Sequence, residues 1–548
     1  MKTCRQCNTG FKITDSDRQF YERMQVPEPK LCPICRQRRR LMCGDQINLY
    51  KRKCDGTGEE IISAYHPDSP FKVYKQAYWY GDKWDALTFG REFDFGRPFF
   101  EQWYELAKII PRPALFGGFS FNENSDYVNY AGYNKNCYMI FDSDFNWDCY
   151  YSLGLNKSKS SADCLRSKEC ELCYECVDCY RSYSLFYSQD CDNCSNSAFL
   201  KNCIGCKRCF MCSNLKNKEY FIYNKPYDKE TYEKLIDNLS KHSELQKYLK
   251  DWDVFKVKYP QKCLHGFQNE NVLGDYMVQS KDSDYCYDSM DLWDCSYFSR
   301  SFGSAKNCMD CDECGDSAEL LYESTICGFN IQNFRFDSFC IHQSSDLDYC
   351  QYCNWASHCF GCVGLKRNSY CILNKQYSKE EYEALAPKII EHMKKTGEWG
   401  EFFPEKYSDF AYNESVAQEY FPLTKEQALK AGYRWRDPDK KEYLPATVQA
   451  PDDSQTADKT IYDALLACET CGRNYKVVEQ ELKLYKSIGV PIPKKCFYCR
   501  HKARFDLRNR RVLYDRKCQK CEANIRTTYE PEGPWTVYCE KCYLESLV

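Results

Sequence analysis

The sequence predicts a mainly β fold. Two tandem cysteine-rich β-solenoids (β-helix-like) with capping helices are flanked by terminal zinc ribbons, each of which would bind its ion through four cysteines. Three observations lead to this prediction. Cys-x-x-Cys pairs cluster at both termini, short strand-like segments recur roughly every ten to fifteen residues between them, and both the ends and the middle are duplicated. This spacing is typical of a sandwich, a barrel or a solenoid. We favour the solenoid because cysteines recur at like positions, as in an interior ladder.

The C-terminal segment 468–548 carries four Cys-x-x-Cys pairs. In chain order they are Cys468/Cys471, Cys496/Cys499, Cys518/Cys521 and Cys539/Cys542. Two pairs that face each other supply four thiolates in a tetrahedron, which is the donor set of structural zinc. Sequential pairing therefore predicts two zinc sites in a double ribbon. Disulfides or free thiols are the alternative.

The N-terminus repeats this segment at an offset of 464 residues, the distance from Cys4 to Cys468. The offset carries Cys4, Cys7, Cys32 and Cys35 onto Cys468, Cys471, Cys496 and Cys499. A third zinc site is therefore predicted. The second ribbon is not repeated in full, because Thr57, Lys75 and Tyr78 stand at the positions of three C-terminal cysteines. We expect residues 1–113 to hold one zinc ribbon, a degenerate metal-free second ribbon and an aromatic segment.

The middle of the chain consists of two copies of one solenoid, residues 114–262 and 263–440. An offset of 150 residues carries Cys209, Phe210, Cys212 and Leu215 onto Cys359, Phe360, Cys362 and Leu365. Each copy ends in a charged helix, and the second helix begins at Ser378 with Glu381 three residues later, a capping box. We expect these helices to cover the open ends of the coils. The polar residues 441–467 are predicted to be a linker.

The solenoid cysteines form runs with a spacing of three residues. The runs are Cys170/Cys173/Cys176/Cys179, Cys203/Cys206/Cys209/Cys212 and Cys308/Cys311/Cys314. Buried packing thiols, further zinc and an iron–sulfur cluster are three interpretations of this pattern. A ferredoxin run has a wider last gap followed by proline, which the two longer runs lack. The second copy also has Leu321 and Ser324 in place of Cys173 and Cys176, so we favour packing thiols.

Composition limits the classes of partner and compartment. The chain has 40 cysteines in 548 residues, and no apolar run that predicts a signal peptide or a membrane span. We therefore expect a cytoplasmic protein without a membrane partner, whose thiols are bound to metal or buried. The net charge of −3 excludes a wholly basic nucleic-acid coat, so a nucleic-acid partner would need a local basic patch.

The strongest signal for function is a basic segment in the last domain. Arg500, Arg504, Arg508 and Arg511 repeat at helical spacing, and Arg36 and Arg40 follow the N-terminal pairs. Guanidinium groups suit phosphate oxygens, and acidic residues are few nearby in sequence. We therefore predict that these arginines bind nucleic acid, such as RNA or the ribosome. A solvated surface helix is the alternative.

Both ends share a longer motif: Cys-x-x-Cys, an aromatic residue, a tyrosine, Val-Pro or Ile-Pro, then Cys-x-x-Cys-Arg. It spans Cys4–Arg36 and Cys468–Arg500. The motif resembles the probable zinc-ribbon domain family. Most of the chain is also similar to large cysteine-rich proteins of candidate-phylum bacteria, and this second resemblance implies no activity. The resemblance implies zinc at the four cysteines within each of the two ranges.

No catalytic motif stands out, since the sequence lacks a phosphate-cradling glycine loop, a Gly-x-Ser-x-Gly elbow and a His-Glu-x-x-His pair. We therefore predict a non-enzymatic protein with about three zinc ions per chain that associates with nucleic acid through its ribbons. One alternative is a protein–protein scaffold that uses the solenoid surface. An iron–sulfur or redox protein and an enzyme with a solenoid groove rank below these two.

Overall fold

The computed structural model describes residues 1–235, 239–301, 303–313, 318, 321–326, 328, 331–439 and 442–547. Cys314, which the sequence places in a cysteine run, lies outside the described residues. The chain divides into two compact units, each made of two separate stretches. Unit 1 combines Met1–Ala114 with Leu264–Asp437, and unit 2 combines Leu115–Cys263 with Pro438–Val548. The N-terminal ribbons thus share a unit with the second solenoid, and the C-terminal ribbons share a unit with the first.

Helices and strands follow the predicted division between ribbons and solenoids. The α-helices are α1 Asp15–Arg23, α2 Pro33–Leu41, α3 Gln76–Tyr80, α4 Phe99–Ile109, α5 Lys229–Leu235, α6 His242–Lys256, α7 Lys379–Thr396, α8 Ala417–Tyr420, α9 Lys425–Lys430, α10 Glu479–Ile488, α11 Phe497–Phe505 and α12 Glu540–Leu544. The strands of the N-terminal ribbons are β1 Lys2–Thr3, β2 Gly10–Phe11, β3 Tyr50–Lys53, β4 Glu60–Ser63, β5 Val73–Tyr74 and β6 Arg112–Pro113. The first solenoid contains β7 Val128–Gly132, β8 Tyr138–Asp144, β9 Tyr150–Leu153, β10 Tyr183–Phe186, β11 Ser195–Lys201, β12 Phe210–Ser213, β13 Phe221–Ile222 and β14 Lys225–Pro226, followed by β15 Gln261–Lys262.

The second solenoid contains β16 Gly266–Phe267, β17 Glu270–Val278, β18 Lys281–Met290, β19 Leu292–Trp293, β20 Ala305–Lys306, β21 Gln332–Arg335, β22 Ser345–Asp348, β23 Ser357–Phe360, β24 Ser369–Ile372 and β25 Lys375–Gln376. The C-terminal ribbons contain β26 Leu466–Ala467, β27 Asn474–Tyr475, β28 Tyr514–Lys517, β29 Asn524–Thr527 and β30 Val537–Tyr538. The mainly β prediction, with solenoids between cysteine clusters, is therefore confirmed.

Successive rungs of each solenoid pair in parallel. In the first solenoid each residue pairs with the residue twelve positions later, as Val128 does with Ile140 and Ala198 with Phe210. In the second solenoid the offset is eleven at its start, where Gly266 pairs with Met277. It reaches thirteen at Leu292, which pairs with Ala305. Each rung therefore adds one layer to a tube with side chains inside.

Each rung is folded into faces of three residues. Every third residue has positive φ, for example 52° at Tyr130 and 54° at Asn136. Most of the residues that follow these corners, such as Ala131 and Cys137, are buried inside the tube. A left-handed backbone is unfavourable for residues other than glycine, but here the parallel hydrogen bonds between rungs stabilise it. The cysteine runs with a spacing of three are thus successive inward positions around one rung.

The interior thiols donate hydrogen bonds to backbone carbonyl groups. Cys176 Sγ lies 3.6 Å from the carbonyl oxygen of Tyr174 and 3.1 Å from that of Leu185. Serines occupy equivalent positions, where Ser152 Oγ accepts the N–H of Cys164 at 2.9 Å. Within the described part of the chain, no three solenoid thiols lie within 4.8 Å of one another. These contacts match the packing-thiol interpretation, and among the described residues no donor set for a further single zinc ion forms in the solenoids.

The C-terminal end of each solenoid is closed by an antiparallel strand and a helix. Strand β14 pairs with β13, and β25 pairs with β24. From the helix that follows, Tyr232 packs on Tyr220 with 5.6 Å between ring centroids, and Tyr382 packs on Tyr370 with 5.8 Å. The capping box at Ser378 is also present. The predicted capping helices are therefore confirmed.

Residues 442–467, within the segment predicted to be a linker, make defined contacts inside unit 2. The carbonyl oxygen of Asp452 accepts the N–H of His242 at 2.9 Å. The Asp452 carboxylate accepts the N–H and the hydroxyl of Ser243 at 3.0 and 2.8 Å. This segment therefore attaches to the start of α6 instead of crossing open solvent.

Candidate metal centres and arginine helices

Three clusters of four cysteines form in the structure. They are Cys4/Cys7/Cys32/Cys35, Cys468/Cys471/Cys496/Cys499 and Cys518/Cys521/Cys539/Cys542, and the four Sγ atoms of each cluster lie within 4.8 Å of one another. One Sγ–Sγ distance in each cluster is 3.7, 3.7 and 3.8 Å, respectively. Each cluster has the donor set that could hold one metal ion. The Cys-x-x-Cys pairs combine in chain order, as the sequence predicts.

A hairpin turn and a helix N-terminus position the first cluster. Cys4 and Cys7 lie in the turn between β1 and β2, where Asn8 takes the left-handed φ of 58°. Cys32 is the N-cap residue of α2, and Pro33 occupies the first helical turn. The second cluster is built in the same way from the β26–β27 turn and α11, whose N-cap residue is Cys496.

Local hydrogen bonds favour the thiolate form of at least one cysteine in each cluster. A hydrogen bond from Cys35 lowers the pKa of Cys32 to about 6 and raises that of Cys35. Burial opposes the charge of Cys468, but the backbone N–H groups of Cys496 and Cys471 bring its pKa to about 6. Burial likewise opposes the charge of Cys518, but the backbone N–H groups of Cys539, Lys520 and Cys521 bring its pKa to about 6. Metal ligation requires thiolates, so these donors favour it.

The degenerate second ribbon near the N-terminus does not form a cluster. Cys54 is buried and accepts the N–H of Lys75 at 3.3 Å, as Cys518 accepts the N–H of Cys539 at 3.2 Å. Tyr78, at the position of Cys542, instead packs its ring against Tyr74 with 5.0 Å between centroids. Among the described residues, no further cysteine joins Cys54 in a metal-binding group.

The basic face of α11 lies against acidic corners of the first solenoid, within unit 2. Arg500 Nε lies 2.9 Å from Asp163 Oδ1, and its guanidinium carbon lies 4.8 Å from the centroid of the Tyr151 ring. Arg504 Nη1 lies 2.9 Å from Asp163 and 3.0 Å from Glu175. The same face continues past the end of α11, where Arg508 pairs with Asp178 at 2.8 Å and Arg511 is buried.

Unit 1 contains an equivalent contact between α2 and the second solenoid. Arg36 Nε lies 2.6 Å from Asp310, and its guanidinium carbon lies 5.3 Å from the centroid of the Tyr297 ring. Arg40 bonds to both Asp310 and Asp312, at 3.3 and 2.8 Å. The offset of 464 residues relates Arg36 to Arg500 and Arg40 to Arg504. The two ribbons thus dock by the same chemistry.

Phosphate binding by the six arginines stays a prediction, but the structure places five of them against solenoid carboxylates and buries the sixth: Arg36, Arg40, Arg500, Arg504 and Arg508 pair with acids, and Arg511 is buried. Arg504 is 2 % exposed and Arg40 is fully buried, so neither guanidinium group can reach a phosphate in this structure. The acids that pair with the arginines lie hundreds of residues away in the sequence, so no local pattern indicates the pairing. The arginines therefore hold each ribbon on its solenoid.

The acidic partners are functional residues that sequence reasoning missed. Asp163, Glu175 and Asp310 occupy left-handed corners of the rungs, with φ of 53°, 51° and 61°, so they project away from the tube. Burial raises the pKa of Glu175 to about 7, although the Arg504 charge opposes this. One signal could have identified the contact: the docking arginines recur in both copies of the ribbon, which indicates a shared structural role.

Unit 1 also contains a polar groove of about 420 Å³, which is lined by Arg335, Asp348, His358 and Tyr382, among others. Arg335 Nη2 donates to Asp348 at 2.7 Å, so opposite charges already pair within it.

In the part of the chain that the structure describes, every helix is too short or too polar to cross a bilayer.

Comparisons with known proteins do not assign the chain to a family. No protein-family model matches it, and no curated protein matches it. One solved structure that it matches is described as a putative acetyltransferase from Desulfovibrio desulfuricans G20, with 10% sequence identity over 48% of this chain and 69% of that chain. The TM-score of that match is 0.12, so it carries no argument about fold or function.

Proposed function

We propose that this protein is a zinc-stabilised, non-enzymatic scaffold that binds partner proteins on the surface of its first solenoid. The observation that carries the proposal is the burial of the ribbon arginines against the solenoid acids. Because the main basic surface is used inside the chain, it is not free to bind a polyanion. The surface left for partners is the flank of the solenoid that the ribbon does not cover.

Zinc fits the three cysteine clusters because four thiolates are a donor set that structural zinc prefers. When bound, the ion would supply a fixed tetrahedral anchor for each ribbon. Cys499 directly precedes Arg500 in α11, so an anchor at Cys499 also fixes the face that carries the docking arginines. The metal centres are therefore proposed to be structural and to hold the ribbons in their docked orientation.

The outer flank of the first solenoid exposes several aromatic side chains. We define it by Phe121, Tyr133, Phe145, Trp147 and Tyr183, whose exposed fractions range from 41 to 56 %. Exposed aromatic side chains are enriched at protein interfaces, and contiguous apolar surface usually marks an interaction site.

Charges on this flank are balanced rather than basic. Lys135 pairs with Glu123 at 2.8 Å, and Lys159 pairs with Glu171 at 3.8 Å. A nucleic-acid surface would need an excess of positive charge to neutralise phosphates. The balance therefore favours a protein partner over RNA or DNA.

Cross-linking in cells followed by mass spectrometry tests this function. A photo-reactive amino acid would be placed at Tyr133 on the outer flank, and at Lys517 on the exposed side of the C-terminal ribbon as the matched control position. We expect cross-links to protein from Tyr133 that persist after nuclease treatment, and few from Lys517. Cross-links from Lys517 that nuclease abolishes, with none from Tyr133, would replace the scaffold with the nucleic-acid function.

A further inference from the structure

We propose that the first rung of the first solenoid, residues 121–127, accepts an extended segment of a partner protein as an added parallel rung. This inference rests on the proposed scaffold function and specifies which part of the solenoid binds and what the partner must contain. Strand addition to an open sheet edge is a recurring mode of peptide recognition, in which backbone hydrogen bonds give affinity and side-chain positions give specificity.

The backbone of this rung is open on its N-terminal side. Inside the solenoid, a corner N–H donates to the preceding rung, as Asn136 does to Glu123 at 3.0 Å and Asp148 to Lys135 at 3.0 Å. The corresponding N–H groups of Asn124 and Tyr127 have no acceptor among the residues that the structure describes. These two groups are therefore available to an incoming strand.

The opposite end of the same solenoid is closed. There β14 pairs with the last rung, and Tyr232 of α5 covers the ring of Tyr220. The second solenoid ends in the same way, with Tyr382 over Tyr370. The chain thus covers an exposed corner ring with another aromatic ring at the two ends that it closes itself. At the first rung, by contrast, Phe121 is 56 % exposed.

Three side-chain ladders run up to this edge and stop there. Phe121, Tyr133 and Phe145 stack at centroid distances of 4.5 and 4.7 Å with interplanar angles of 8° and 10°. Asn124 Nδ2 donates to Asn136 Oδ1 at 2.9 Å, which extends an amide ladder. The third ladder is the ion pair of Glu123 and Lys135, in which the Glu123 side chain stays 68 % exposed.

These ladders define the chemistry of the partner. An aromatic ring would continue the stack on Phe121, a basic side chain would meet the exposed carboxylate of Glu123, and an asparagine would donate to Asn124 Oδ1. The second rung of this chain, Tyr133-Asn134-Lys135-Asn136, already pairs with the first rung in this manner. The partner segment should therefore read aromatic, asparagine or another small polar residue, basic, asparagine.

The test uses a fluorescent peptide with the sequence of residues 128–139, with serine in place of Cys137, and the full chain loaded with zinc. We expect saturable binding by fluorescence anisotropy. Glu123→Lys should weaken it at least tenfold, and so should Phe121→Ser. A peptide carrying Lys135→Glu should recover affinity for the Glu123→Lys chain, because the charges are then exchanged. Ile204→Ser, a change of an exposed apolar residue of the same solenoid that lies away from the edge and outside the outer flank, should leave affinity unchanged.

A peptide affinity that neither Phe121→Ser nor Glu123→Lys changes would overturn the inference, and so would the absence of peptide binding. Dimers of the full chain that Phe121→Ser dissolves would also overturn it, since the occupant would then be a second copy. Protein cross-links from Tyr133 that survive alongside a peptide that fails to bind would remove the edge site and leave the scaffold function intact. The absence of protein cross-links from Tyr133 would instead contradict the scaffold function itself.

Discussion

The second ribbons of the two units have the same backbone but different cores. Strands β3 and β4 pair in the register of β28 and β29, and α3 and α12 match at the offset of 464 residues. Four cysteines meet in the C-terminal ribbon, whereas a tyrosine pair fills that place in the N-terminal one. Aromatic packing inside a docked unit thus occupies the place that a cluster of four cysteines, which could hold a metal ion, occupies in the other ribbon.

Gly56 shows how the aromatic core fits. A Cβ atom at Gly56 would lie 2.7 Å from a ring carbon of Tyr78 and 3.1 Å from one of Tyr74. The C-terminal ribbon has Lys520 at this position, where Cys542 replaces the ring of Tyr78. The N-terminal ribbon thus lacks three of the four thiols, and it also has Gly56 where the C-terminal ribbon has Lys520. The absence of a side chain at Gly56 leaves room for the Tyr78 ring.

Removal of a metal ligand should have the largest effect and should separate the two ribbons. We expect Cys518→Ser to lower the zinc content from about three to about two ions per chain and to unfold the C-terminal second ribbon. A structural zinc ion contributes roughly 10 kcal/mol to the folding of a small domain. Elemental analysis and hydrogen exchange over residues 514–543 measure the two effects.

The matched control is Cys54→Ser, which alters the equivalent thiol of the metal-free ribbon. Zinc content should stay at about three ions per chain, because Cys54 lies in no cluster. Loss of an ion from this variant would show that the N-terminal second ribbon is a metal site, and the comparison between the two ribbons would fail.

Removal of one docking arginine should have the next largest effect. Arg504→Gln leaves the carboxylates of Asp163 and Glu175 without their shared partner, and breaking a buried ion pair costs about 3–5 kcal/mol. Lys502→Gln, on the exposed side of the same helix, removes only an exposed pair with Asp506 and should cost less than about 0.5 kcal/mol. Denaturant unfolding of both variants gives the comparison, and equal stabilities would contradict the docking role.

The exchange of side chains at Gly56 and Lys520 sharpens the comparison of the cores. Gly56→Lys should destabilise unit 1 by about 2 kcal/mol, because the new side chain overlaps the Tyr78 ring. Lys520→Gly changes an exposed turn and should have a smaller effect. Thermal unfolding measures both, and a tolerated Gly56→Lys would mean that the tyrosine pair does not form the core.

The pH dependence of stability should show the smallest effect. The folded-state pKa of Glu175 is about 7 and thus higher than in the unfolded chain, so the folded state binds more protons between these values. The stability from Glu175 is therefore full below about pH 4 and falls as the pH rises through 7. We expect a loss of about 1 kcal/mol, since the side chain is partly exposed. Glu175→Gln should remove this slope in denaturant titrations from pH 4 to 8.

Local spacing in the sequence was enough to predict the three four-cysteine clusters and the solenoid. Cys-x-x-Cys pairs close their clusters within about 30 residues, as Cys4 does with Cys35. The inward positions of a rung repeat every three residues, and the cysteine runs carry that period directly. Both features depend on short-range geometry that the order of residues specifies.

The docking of the arginine helices could not be predicted in the same way. Arg500 and Asp163 are 337 residues apart, and nothing in either local segment indicates that they meet. A basic helical face is equally suited to phosphate and to buried carboxylates, so composition alone cannot separate the two. The tertiary fold decides between them, because it pairs each terminal ribbon with a particular solenoid.

A double-mutant cycle on Arg500 and Asp163 tests the central claim most directly. The single variants Arg500→Gln and Asp163→Asn and the double variant would be compared by denaturant unfolding of the zinc-loaded chain. Because the two groups meet in a buried hydrogen-bonded pair, we predict a coupling free energy of about 1.5–3 kcal/mol. A coupling below about 0.5 kcal/mol, with zinc content unchanged, would contradict the assignment of the ribbon arginines to docking.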